Sequence, residues 1–430
     1  MQKVRAERFE LLATARRVLS AAGRAEGLVW GHDLHRTAKC KHILRGEGGV
    51  AVHLAREHGS AFYSGLATCG SVWSCPVCAA KVQERRREEI AQAIDWAYEQ
   101  GLQPVMVTLT FPHRAWHELE QLLQQQADAL HRLRAGAPWS RVKEWAGYRG
   151  LIRSLELTHG SNGWHPHTHE LWFVRKDLDA QKLREKVLRR WKTACAKAGL
   201  LDLGDTAQVT AFEAHSVDVK GDCSTSDYLA KQDDSRHWGA DREIAKASTK
   251  AGRAKGLHPF GLLDQARVGC PRSSELFVSY CLAMRGRRQL FWSHGLKAEV
   301  GVDEVSDEAI AEQDRETADE VCRLDADDWR CVLAAEARSR VLDAAENGGR
   351  AAVKQLVALL RSASGQRPGA SVDGGRAPAP TAGPPPPAVP TPLFRDAHHS
   401  TGSTGRSLSG RITPSAHPRR VAVSSGAPLP

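Results

Sequence analysis

His165, His167 and His169 alternate along the chain, separated by Pro166 and Thr168, and the apolar residues Leu171, Trp172, Phe173 and Val174 follow. On a β-strand, residues two apart project to one face at roughly 6–7 Å spacing, so two neighbouring imidazoles can lean onto one divalent cation. His165 and His169 would stand about 13 Å apart along a regular strand and could not share it. Pro166 has no N–H to give a ladder and marks a strand's first residue or an edge. Regular pairing should therefore begin after it, which favours His167 and His169 as the metal pair. His165 is then left at the mouth of the site, as a third ligand or a contact to substrate. A single histidine here would read as solvated or hydrogen-bonded core; three on one face argue against that.

A carboxylate must come from a neighbouring element. Residues 151–158 alternate as a strand, and His159, Gly160, Ser161, Asn162 and Gly163 supply turn chemistry, so the two strands should form a hairpin. With an even loop, Glu156 faces the histidines while Leu155 and Leu157 face the core; with an odd loop the faces exchange. An unpaired buried carboxylate is costly, so the even loop is expected. A Glu/His/His set with open positions suits Mn²⁺ or Mg²⁺ and would also accept Zn²⁺.

Cys75 and Cys78 form a CxxC, with Cys69 six residues earlier and Cys40 further upstream. No βαβ pattern surrounds the motif, which argues against a redox role. Four thiolates would bind one structural Zn²⁺ tetrahedrally, with His42, His53 and His58 as rivals to Cys40 for the fourth place. No signal peptide is apparent, so a reducing cytoplasm is expected and disulfides are not. Cys195, Cys223, Cys270, Cys281, Cys322 and Cys331 are scattered and read as structural or incidental.

Four ordered motifs carry a resemblance. Val107, Thr108, Leu109, Thr110, Phe111 and Pro112, then residues 163–171, then Tyr228, Leu229, Ala230 and Lys231, resemble the motifs of rolling-circle plasmid replication initiators, members of the HUH endonuclease superfamily. The segment Cys69, Gly70, Ser71, Val72, Trp73, Ser74, Cys75, Pro76, Val77 and Cys78 resembles a cysteine motif that precedes them in one branch. The likeness runs from about residue 38 to about residue 290. It implies that Tyr228 is a nucleophile that nicks one strand at the double-strand origin, forming a 5′-phosphotyrosine and a 3′-hydroxyl primer, and later rejoins the strand. Origin DNA would be single-stranded at the nick and duplex for binding, with host helicase and polymerase as partners.

The residues around Tyr228 suit that role. The chain has only five tyrosines, and Lys231 lies three residues on, on the same face of a short helix. A phenol titrates near 10, so a nearby cation is needed to favour the phenolate. One departure stands out: the glutamate that the family often places four residues before the tyrosine is here Ser224. Asp227 and Asp222 are the nearby acidic substitutes.

The elements that must position these residues read as a series. Strands over 105–112, 151–158, 164–174 and 207–214 alternate with helices over 115–133 and 178–200, and a short helix carries Tyr228. That order suits an α+β fold, an antiparallel sheet with helices on one face in a split βαβ, RRM-like arrangement. The expected organisation is a helical extension over 1–37, a cysteine segment and helix over 38–100, a nicking domain over 101–300, an acidic helical segment over 301–361 and a disordered Pro/Gly/Ser-rich tail over 362–430.

The net charge is +10, yet residues 303–346 hold 15 acidic and 5 basic side chains, leaving the rest at +20. A basic body with stretches at 81–87, 182–197 and 246–255 fits nucleic-acid binding. No run is apolar enough to span a membrane. Three other readings remain: an HUH relaxase or transposase, a non-enzymatic zinc-containing DNA-binding regulator, and a His/Glu metallohydrolase that does not need Tyr228.

Overall fold

The computed structural model describes residues 2–25, 35–221, 256–312 and 317–365. In chain order its elements are α1 (Gln2–Ala25), α2 (Arg36–Lys39), β1 (Val50–Ala55), β2 (Ala61–Ser64), α3 (Pro76–Glu99), β3 (Leu102–Leu109), α4 (Leu119–Leu133), α5 (Gly136–Ala146), β4 (Gly150–Gly160), β5 (Gly163–Arg175), α6 (Ala180–Lys197), α7 (Thr206–His215) and β6 (Val217–Lys220). After the break come α8 (Pro259–Arg267), α9 (Pro271–Ala283), β7 (Leu290–Trp292), α10 (Leu296–Val300), α11 (Asp307–Glu312), β8 (Ala318–Leu324), α12 (Ala326–Ala334) and α13 (Arg338–Gly365).

Five strands form one antiparallel sheet in the order β6-β3-β5-β4-β7. β4 and β5 are joined by the two-residue loop Ser161–Asn162, closed by the Gly160↔Gly163 pair. Gly163 takes φ +80°, a region where a side chain is strained, and a Cβ there would lie 2.9 Å from the Cα of Ala115. The loop is even, so Glu156 pairs with His167 and Ser154 with His169, while β3 sets Thr108 opposite His169.

The face that carries the histidines turns apolar further along the same strand. Met106, Ile152, Leu171 and Phe173 pack there against Ile90, Ala93, Ile94 and Ala97 of α3. On the opposite face Val105, Val107, Leu151, Trp172 and Val174 join the core formed with α4, α5 and α6. Helices therefore cover both faces, where one covered face was expected. The odd-numbered register of β5 explains this: beyond His169 it presents Leu171 and Phe173, whose exposure would forfeit about 1.5–3 kcal/mol each.

A second, three-stranded antiparallel sheet has the order β2-β1-β8. It brings the acidic segment against the cysteine segment: the Trp329 indole donates to the carbonyl of His42 (2.9 Å), the Tyr63 hydroxyl donates to that of Arg338 (2.6 Å), and Arg5 pairs with Asp343 and Glu346. The acidic segment thus contains a strand as well as the expected helices, because buried Cys322 and Leu324 alternate with exposed residues. The strand expected over 207–214 is instead helix α7. Asp205 caps it by accepting from the Gln208 N–H (2.9 Å), and the edge strand is displaced to Val217–Lys220.

Candidate metal centres

Among the described residues, two sets of side chains each converge their ligand atoms. The first is Cys40, Cys69, Cys75 and Cys78, all buried, with every Sγ within 4.8 Å of the others. Cys40 and Cys78 stand 3.5 Å apart, Cys69 and Cys78 3.7 Å, and Cys75 and Cys40 3.7 Å. Disulfide sulfurs are about 2.05 Å apart. Four sulfurs at 2.3 Å from a central zinc have tetrahedral edges of about 3.8 Å, so the spacing fits that ion.

Local structure sets this cluster. Cys75 is the N-cap of α3, with Pro76 in the first turn, and its Sγ accepts from the Cys78 N–H (3.4 Å). Gly70 (φ +61°) turns the chain between Cys69 and the helix. Hydrogen bonds from Cys40, Cys69 and Cys75 pull the Cys78 thiol down towards thiolate, whereas burial pushes Cys75 up. Several thiolates this close in a buried site need a cation. The rival histidines stand outside the cluster; His53 Nε2 bonds the Ser64 hydroxyl (2.7 Å) and its ring stacks on Phe62.

The second set is Glu156, His167 and His169. Glu156 Oε2 lies 3.3 Å from Nε2 of each imidazole. His167 donates through Nδ1 to the carbonyl of His165 (3.3 Å), and His169 Nδ1 bonds the Thr108 hydroxyl (3.0 Å). With Nδ1 donating, the neutral His167 ring turns its Nε2 lone pair towards a carboxylate oxygen, and His169 does the same where its Nδ1 donates to the Thr108 hydroxyl. Acceptors facing acceptors at 3.3 Å require either a proton or a cation between them. Nitrogen and oxygen ligands at about 2.1 Å and right angles lie about 3.0 Å apart, close to what is seen. The donor set fits a hard or borderline divalent ion.

Burial would raise the Glu156 carboxyl, but with a proton on each Nε2 the hydrogen bonds and charge of His167 and His169 outweigh it and hold the group well below the usual carboxylate range. The three side chains keep 23%, 15% and 14% of their surface, enough for a substrate oxygen to approach. Behind Glu156 is a cavity of about 40 Å³ lined by Ser154, Leu157, His258, Tyr280 and Gln289. That space suits ordered water, not a nucleotide, so any substrate enters from the open side.

His165 stays out of the ligand set. Its Nε2 bonds the Thr110 hydroxyl (2.6 Å) and its ring stacks on His113 at 4.6 Å. Burial pushes it down to about 3, keeping it neutral. Sequence reasoning named Thr108 and Thr110 only as part of a motif, without a role, and missed His113 and His258. The threonines follow from strand parity once β3 is known to pair with β5. His258 had no local signal: it arrives through the Leu257↔His159 bridge and caps α8, its Nδ1 accepting from the Phe260 N–H (3.2 Å).

Tyr228, Lys231, Asp227, Ser224 and Asp222 lie outside the described residues, as does the basic run at 246–255. In α6 the basic face is partly structural: Arg184 donates to the carbonyl of Val217 (3.0 Å) and Arg190 to that of Leu133 (2.9 Å).

Residues 65–336, which include the whole Glu156–His169 hairpin, match the family described as Replication protein (Rep_1). The chain belongs to this replication protein family. Protein rep of Streptomyces lividans is 26% identical over 311 residues, covering 58% of this chain and 67% of that protein. A Neomycin resistance protein of Streptomyces cyanogenus is 32% identical over 149 residues, 29% of this chain and 34% of that protein. No solved structure matches the chain. Cys40 lies before the family match, whereas the other three cysteines lie within it. Among the described residues of this Rep_1 protein, no helix is long and apolar enough to cross a membrane.

Proposed function

We propose that this protein initiates plasmid rolling-circle replication in the bacterial cytoplasm by nicking one strand of origin DNA. The observation that carries the reading is the convergence of Glu156, His167 and His169 on an open sheet face in a replication protein. Mn²⁺ or Mg²⁺ bound there would supply positive charge to the oxygens of the scissile phosphate. Glu156 enters the site already ionised, and Thr108 holds the His169 ring so that Nε2 stays directed at it.

Tyr228 is the nucleophile in this reading. Its phenolic oxygen loses a proton, attacks phosphorus in line and forms the 5′-phosphotyrosine. The bond from phosphorus to the 3′ oxygen breaks, and that oxygen takes up a proton to become the primer hydroxyl. The ester conserves the bond energy for rejoining. Lys231, three residues on, supplies the cation that favours phenolate, and Asp227 is the candidate substitute for the missing glutamate in activating the second attack at termination. Host polymerase would extend the hydroxyl, and a host helicase would open the duplex.

The other four tyrosines support this choice. Tyr63, Tyr148 and Tyr280 are buried or held by hydrogen bonds, and Tyr98 ends α3 beside the start of β3, about 20 Å along that strand from Thr108. Residue 221 lies just past β6, whose Asp218 pairs with Thr108. Seven further residues reach up to about 25 Å, enough to bring position 228 to the histidines.

The cysteines hold a structural Zn²⁺ in the same proposal. The experiment mixes purified protein with a single-stranded origin oligonucleotide and Mn²⁺. Metal-dependent cleavage with protein left on the 5′ end, abolished by Tyr228→Phe, is expected. Cleavage without an adduct would instead indicate a metallohydrolase, and binding without cleavage a regulator.

A further inference from the structure

The loop between β3 and α4 carries the most exposed tryptophan among the described residues: Trp116 is 75% accessible. A lone exposed aromatic is ordinary surface. This one is not placed as ordinary surface. The loop is anchored at three points beside the histidine face. The Trp191 indole donates to the carbonyl of Thr110 (2.7 Å), and the His113 ring lies nearly parallel to that of His165. At the far end, Ala115 sits against Gly163 so closely that any side chain there would collide.

The loop also closes on itself. The Arg114 N–H donates to His117 Nδ1 (3.2 Å), and the His117 N–H donates to the carbonyl of Arg114 (3.1 Å). His117 packs edge-on against Trp116, with ring centroids 6.0 Å apart. Arg114 is exposed, and no described carboxylate forms an ion pair with it. The result is an indole face, an exposed guanidinium two residues away, and a fixed backbone at the hairpin end of the histidine strand.

We infer that Trp116 is a stacking platform for one unpaired base of the single-stranded DNA, with Arg114 contacting an adjacent phosphate. Stacking on an aromatic accepts any base, because each has a π-face, and a cation beside the ring holds the backbone. The isolated indole lies among polar and charged residues, too small an apolar patch for a protein partner. Gly163, where the loop sits, is four residues before His167 and six before His169, about 13–20 Å along the strand. The stacked base is therefore a few nucleotides from the scissile bond, not flanking it. Because the anchors order the loop beforehand, little ordering entropy is lost on binding.

This inference rests on the nicking reading for its place in the mechanism, but its test does not. The full chain carrying Tyr228→Phe, without added Mn²⁺, is titrated onto fluorescein-labelled oligo(dT) and onto a duplex, followed by anisotropy. Trp116→Ala should weaken oligo(dT) binding about 5- to 100-fold while leaving the duplex unchanged, and Trp116→Phe should recover most of the loss. A single abasic position should weaken the parent to the level of Trp116→Ala and not weaken that variant further. Equal binding by parent and Trp116→Ala, or an equal loss on duplex, overturns the proposal. A thermal melt that coincides with the parent's excludes a folding defect at this exposed position. Should covalent nicking fail while the Trp116 effect persists, the catalytic reading falls and the stacking platform stands.

Discussion

Helix α3 bears Cys75 as its N-cap and Cys78 in its first turn, and later in the same helix Ile90 and Ile94 rest on the sheet face that holds Glu156, His167 and His169. About 18 Å of helix separates Cys78 from Ile90. At one end the ligands are four sulfurs, at most 3% exposed, with every position around the point taken. At the other they are two nitrogens and an oxygen, partly exposed, with one side open. A closed sulfur tetrahedron suits a structural ion, because no position is left for a substrate; an incomplete N/O set suits an ion that must leave one open. One chain builds both, and the helix between them makes the position of the Glu156–His167–His169 face depend on the integrity of the cysteine cluster.

That dependence should be one-directional. Cys75→Ser, or removal of zinc by a strong chelator, should cost most: binding free energies of structural zinc are on the order of 10 kcal/mol and count as folding free energy. Loss of one equivalent of zinc by metal analysis and a fall in Tm beyond about 10 °C are expected, with nicking lost as a consequence. A zinc-free protein that melts like the parent would break the comparison at its closed end.

Substitutions at the open end should do the reverse. His167→Ala or His169→Ala should reduce Mn²⁺-dependent cleavage more than about 100-fold while Tm and duplex binding stay near the parent's, since neither ring is part of a packed apolar core. Thr108→Val probes one shell further out. It keeps a β-branched side chain in β3 and removes the hydroxyl that orients His169, so Mn²⁺ affinity should fall about 10- to 100-fold by titration. An unchanged affinity would mean that the ring is held by packing alone.

How much of this was legible depended on period. Strand alternation, with Ser161–Asn162 as the loop, sufficed to put Glu156 and the histidines on one face. CxxC spacing drew attention to Cys75 and Cys78, and the sequence placed Cys40, 29 residues before Cys69, with them only in competition with His42, His53 and His58; the structure settles that competition for Cys40. Residues 207–214 misled because an Ala-, Thr- and Val-containing stretch suits strand or helix, and the Asp205 cap decided it. The cover on the histidine face, His258 and the pairing of β8 with β1 are long-range contacts between segments with no shared local pattern. Trp116 was invisible for another reason: exposure, not residue type, makes it informative.

The smallest effect concerns the acid stability of the closed end. His35 caps α2, the helix leading into Cys40, with Nδ1 accepting from the Thr37 N–H (3.3 Å). Burial, then the charges of Arg285 and Arg36, push its imidazole down to about 4. Between that value and about 6.5 the unfolded chain binds more protons than the folded one, so stability rises with pH across this window. Above it the group contributes no slope; as pH falls through it, stability is lost. Linkage sets an upper bound near 3 kcal/mol, and partial exposure lowers the expected loss to on the order of 1 kcal/mol. His35→Asn retains an acceptor for the cap and removes the titration. Urea midpoints of parent and variant should coincide near pH 7 and diverge by about pH 4.5, with the variant the more stable. Parallel curves at both pH values would show that the ring is solvated in the folded protein and that acid acts on the cysteine end only through the thiolates.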